Sequence, residues 1–98
     1  LNPYRPELKL WFEACDSIAR ADAPPASRKL AFDWLKSLLS DPRPYPAVKD
    51  AAYSAQFDQE IFFARIPGTA FDVIWGIDEP EKEIAVYQVG LHLDPLRP

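Results

Sequence analysis

The spacing of apolar residues changes once along this chain, and that change does most to limit what it can fold into. As far as about residue 40 the apolar side chains recur every three or four positions; from about residue 59 they recur at every second position. The first period lines one face of an α-helix, and the second lines one face of a half-buried β-strand. The helical block splits at Ala21-Asp22-Ala23-Pro24-Pro25. One helix is expected over residues 6–21, with Pro6 in its first turn, Glu7 beside the positive helix end, and Leu8, Trp11, Phe12, Cys15, Ile18 and Ala19 on the apolar face. A second is expected over residues 25–40, burying Leu30 or Ala31, Trp34, Leu35, Leu38 and Leu39. It stops at Asp41-Pro42, because a residue before proline leaves the helical region. The short link makes the two an antiparallel hairpin.

Residues 41–58 carry no clear period. Asp41-Pro42-Arg43-Pro44-Tyr45-Pro46 reads as a stiff spacer, and residues 47–53 have room for one helical turn. Strands are expected over 59–66, 71–77 and 84–91, joined by turns at Pro67-Gly68-Thr69-Ala70 and at residues 78–83. In the middle strand Phe71, Val73, Trp75 and Ile77 share one face, and only the helix hairpin is available to cover it. The expected architecture is α+β: an N-terminal antiparallel helix hairpin packed on a C-terminal three-stranded antiparallel meander, residues 1–98 forming one domain. At 98 residues and 48% hydrophobic, the chain has enough apolar material for one small core.

Charge narrows the partners. Residues 1–50 hold eight basic and seven acidic side chains, whereas residues 51–98 hold three basic and eight acidic. A net of −5 gives the sheet half the wrong sign to hold nucleic acid. Arg28, Lys29 and Lys36 lie on the second helix, so an anionic partner is expected on that side. Cys15 is the single cysteine, which excludes an internal disulfide framework and fits a reducing, cytoplasmic setting. One Cys and one His do not make a zinc site. The acidic run Asp78, Glu79, Glu81 and Glu83 lacks the spacing and central glycine of a calcium loop. No phosphate-binding glycine loop or nucleophile elbow is present, and no cofactor is implied. Nothing approaches the roughly 20 apolar residues that span a bilayer, and the chain, which opens at Leu1, shows no charged-then-apolar leader.

Single residues offer chemistry as well as packing. His92 is the one histidine, the side-chain type whose unperturbed pKa lies near neutrality, and as a strand-end residue it suits either an acid/base role or a plain surface. Arg65 suits a phosphate or, across the hairpin, the carboxylate of Asp72. Tyr53 and Tyr87 suit polar-tipped core positions or partner contacts. Trp11, Trp34 and Trp75 suit the core, and Cys15 suits inert packing.

Tyr4-Arg5-Pro6-Glu7, Arg65-Ile66-Pro67-Gly68, Phe71-Asp72-Val73-Ile74-Trp75, Ile77-Asp78-Glu79 and Val89-Gly90-Leu91-His92 fall, in that order, where a helix hairpin and strand meander would carry them. In this the chain resembles the RelE/ParE toxin superfamily, with the family's first strand short or absent. The resemblance implies the toxin component of a type II toxin–antitoxin system. Its implied partner is a cognate antitoxin, and its target either a gyrase-like protein or ribosome-bound messenger RNA. The family's ribonucleases hold the scissile phosphate with several cations, since phosphoryl transfer builds negative charge that cations offset. Here Arg65 occupies one such place. Asp72 stands where the strand arginine would be, and Leu91-His92 stands where His-Arg would be. The chain therefore resembles more closely the branch that acts by binding protein. Arg65 and His92 are the candidate catalytic residues under the ribonuclease alternative, and a stand-alone interaction module of the same topology is the third reading.

Overall fold

The computed structural model describes residues 2–93. A two-residue strand, β1 (Arg5–Pro6), leads into α1 (Leu8–Arg20) and α2 (Pro25–Ser37). A second two-residue strand, β2 (Val48–Lys49), and a short helix, α3 (Ala51–Phe57), precede β3 (Glu60–Arg65), β4 (Phe71–Asp78) and β5 (Glu83–Leu91). The architecture is α+β, with N-terminal helices and a C-terminal mixed sheet. Two features differ from expectation. The sheet has five strands, in the order β1-β5-β4-β3-β2, and it is not purely antiparallel, because β1 runs parallel to β5. The two extra strands have two residues each, too few to leave an alternating pattern.

Pro6 belongs to β1 and not to the first helical turn. The helix starts after Glu7, whose carboxylate accepts a hydrogen bond from the Leu10 amide at 2.7 Å. That bond satisfies one of the orphan donors of the first turn and places negative charge at the positive helix end. The buried side of α1 is Ala14 and Ile18, with Trp11 packed against their edge. Leu8 and Phe12 are instead 59% and 66% exposed, and Ala19 is exposed. The apolar stripe of α1 is thus wider than the surface it meets, and the sheet takes only the Trp11–Ala14–Ile18 side.

Pro25 occupies the start of α2, where its missing N–H costs nothing. Of the two candidates at its first apolar position, Ala31 is buried and Leu30 is exposed. The regular helix ends at Ser37, and residues 38–40 continue as a tighter turn in which each amide reaches back three residues, so Leu38 and Leu39 still reach the core.

One face of the sheet meets the helices. Phe62, Ala64, Ile66, Phe71, Val73, Trp75, Ile77, Ile84, Val86 and Val89 are all buried there with Ala31, Leu35 and Leu38. Trp75 is central. It lies edge-on to Trp34 at 5.6 Å and stacks on Phe62 at 5.8 Å. Its indole N–H donates to the Pro42 carbonyl at 2.9 Å. The proline segment after α2 is therefore more than a spacer, because it supplies the partner that a buried tryptophan needs.

The other face has no helix hairpin over it. Where β4 meets β5, Ile74 faces Gln88 and Trp75 faces Val86, so Tyr87 is the extra residue of a bulge. The bulge turns the Tyr87 ring across Gly76, and its hydroxyl donates to Gln59 Oε1 at 2.8 Å. A Cβ on Gly76 would lie 2.8 Å from that ring and 2.6 Å from Gln59 Oε1, so any larger residue here has to push those two side-chain ends aside.

Candidate functional site

Arg65 ends β3 directly opposite Asp72 of β4. Its guanidinium grips that carboxylate with two parallel bonds, Nε to Oδ1 at 2.8 Å and Nη2 to Oδ2 at 2.9 Å. Asp72 is 4% exposed and Arg65 half-exposed, so the arginine acts as a lid over a buried carboxylate. The pairing raises the arginine's pKa further, chiefly through its hydrogen bond to Asp72. The fork commits the Nε–Nη2 edge of the guanidinium to Asp72 and offsets much of its charge.

His92 is exposed and follows β5 with a left-handed backbone, φ 49°; its amide donates to the Ala70 carbonyl at 3.0 Å. It sits at the same end of the sheet as Arg65, but β4 runs between their strands. Two strand spacings amount to about 10 Å. The fold brings Arg65 together with Asp72 and not with His92. Of the residues after β5, 94–98, including Arg97, lie outside the described residues.

Of the three cations expected to serve a partner on the helix side, Arg28 and Lys29 are engaged within the fold. Arg28 Nη1 donates to the Ala23 carbonyl at 2.6 Å, tying down the link between α1 and α2. Lys29 pairs with Asp33 one turn on, at 2.8 Å, and its hydrogen bond lowers the Asp33 pKa. Lys36 is exposed and close enough to Cys15 and Asp33 to lower the pKa of both. The dominant effect on Cys15 is burial, which pushes its thiol up and away from a reactive thiolate.

A second charge cluster was not legible in the sequence. Arg43, from the proline segment, binds both Glu60 and Glu79, the latter at 3.0 Å. Lys82 also binds Glu79, and the Tyr4 hydroxyl donates to the same carboxylate at 3.0 Å. With hydrogen bonds from Lys82, Arg43 and Tyr4, in that order of effect, the Glu79 pKa falls from 4.5 to about 2. The Glu60 pKa falls as well, chiefly through its bond to Arg43. Arg5 reaches Glu81 and Glu83 at 3.5 Å. The acidic turn is therefore the meeting point of β1, the proline segment, β3 and β5. The available signal was the isolated Arg43 among prolines, followed by a cation-poor half of the chain.

Among the described residues no group of three or more His, Cys, Asp or Glu side chains is arranged to hold a metal ion, and no helix is long and apolar enough to cross a membrane. No protein-family model, no curated protein and no solved structure matches the chain.

Proposed function

We propose that this chain is a protein-binding domain of the RelE/ParE kind, the toxin-like component of a toxin–antitoxin pair, acting by docking proteins and not by cutting RNA. The observation that carries the reading is the Arg65–Asp72 fork. Arg65, at one of the places where a ribonuclease of this kind would hold phosphate, is here bound to a buried carboxylate, and that carboxylate stands where the family's strand arginine would be. A carboxylate in that place repels a phosphodiester and supplies no positive charge to its transition state.

Support for the family reading comes from element order: a short strand at the sheet edge, two helices, then three long antiparallel strands. The exposed Leu8 and Phe12 on α1 add apolar surface suited to a protein partner. The test is co-expression with the product of the adjacent gene, with growth measured when the chain is expressed alone. A stable complex and growth arrest relieved by the partner are the expected results. Absence of any complex together with harmless expression overturns the reading.

A further inference from the structure

β2, the end of α3 and the β4–β5 turn border a cleft of about 770 Å³, open to solvent along one side. Phe57 and Pro80 give it apolar surface, and Asp58, Glu60, Asp78 and Glu79 give it an acidic rim, against Lys49 alone among the lining cations. Charge around the rim is only partly balanced. Arg43 is held by Glu60 and Glu79, Lys82 by Glu79, and Arg5 by Glu81 and Glu83. Among the described residues Asp58 and Asp78 have no cation paired to them. Beside them, Phe57 is 56% exposed, its ring 6.1 Å from that of Tyr53. An exposed aromatic next to unpaired carboxylates suits a cation carried on an apolar stem: the charge meets the carboxylates and ring faces, and the stem meets the walls. The carboxylates are not gathered closely enough to serve a metal ion.

We propose that this cleft docks a cationic peptide segment of a protein partner. The segment presents Arg or Lys to Asp58 and Asp78, and an apolar side chain to Phe57 and Pro80. The volume takes several side chains, and the open side lets a chain run in and out, as a peptide requires. The residual negative charge of Asp58 and Asp78 favours a cationic peptide over nucleic acid. The assignment deepens the protein-binding reading, and rests on it only for the source of the segment.

The experiment uses the isotope-labelled chain and a short blocked peptide alternating Arg and Leu. A second peptide carries neutral citrulline at each Arg. Binding of the Arg peptide should shift the amide signals of Asp58, Gln59 and Asp78, weaken as salt is raised, and fall by about tenfold with citrulline. Asp58→Asn with Asp78→Asn keeps side-chain size and should cost a similar factor; Asp58→Lys alone, which leaves the Asp78 turn intact, should weaken binding in the same direction. Equal binding of the two peptides, shifts confined to other surfaces, or undiminished affinity in both variants would overturn the assignment. The adjacent gene's product separates the two proposals. If it binds the Asn variant as tightly as the native chain, the cleft is not its seat and the toxin-like reading stands. If no such complex forms and expression of the chain alone is harmless, while the Arg peptide still binds at the cleft, the toxin-like reading falls and the cleft stands.

Discussion

Along β4, Phe71, Val73, Trp75 and Ile77 look toward the helices, while Asp72, Ile74, Gly76 and Asp78 look the other way. The same strand is closed by two different means. On the first face a second layer supplies the cover, and everything it touches is apolar. On the second face the sheet covers itself: Arg65 folds over Asp72, and Tyr87 over Gly76. The first arrangement depends on volume, and the second on individual side chains reaching across strands. Substitutions should therefore fail differently on the two faces.

The largest expected effect is on the helix side. Trp75→Ala removes the contacts with Trp34 and Phe62 and orphans the Pro42 carbonyl. Its cost should be about 3–5 kcal/mol in a urea titration. A loss below about 1 kcal/mol would show that helix packing is not what closes this face. On the other face, Gly76→Ala forces a methyl group against the Tyr87 ring and should cost about 1–3 kcal/mol. In a Tyr87→Ala background much of that penalty should vanish, and an undiminished penalty would mean that the ring is not the obstacle.

The Arg65–Asp72 pair gives a prediction of sign. Arg65→Ala leaves a buried carboxylate without its cation, so the double variant Arg65→Ala, Asp72→Ala should melt at a higher temperature than Arg65→Ala alone. The reverse order would show that the carboxylate finds water unaided. The smallest effect is expected at Glu79. Its folded pKa of about 2 lies below the ordinary 4.5, so its contribution is complete above pH 4.5 and is lost as pH falls toward 2. Glu79→Gln should flatten the melting temperature against pH across that interval. An unchanged slope would assign acid sensitivity to other carboxylates.

The helices and the three long strands were legible because each repeats its apolar period several times. β1 and β2 were not, since two residues cannot show a period. On α1 the composition of the apolar stripe was legible but its limits were not. Leu8 and Phe12 are as apolar as Trp11, and only the width of the facing sheet decides which of them is covered. At the candidate site, Arg65 opposite Asp72 followed from the hairpin. The Arg43 cluster did not, because it joins residues from four separate segments. The cleft beside α3 stayed hidden for a related reason: its walls come from β2, α3 and a turn that lies more than twenty residues further on.

β1 also bears on how the chain is made. Arg5 pairs with Glu83, and Pro6 with Ile84. On a ribosome adding about 5–20 residues each second, the partner strand emerges roughly 4–16 s after the first. Until β3 and β4 follow, the apolar sides of α1 and α2 have only each other to lie against, and Trp11, Ile18 and Leu35 lack the sheet that will enclose them. The order of synthesis thus runs against the order of assembly. A nascent chain of this design is stickier half-made than finished, and the last strand to emerge is the one that secures the first.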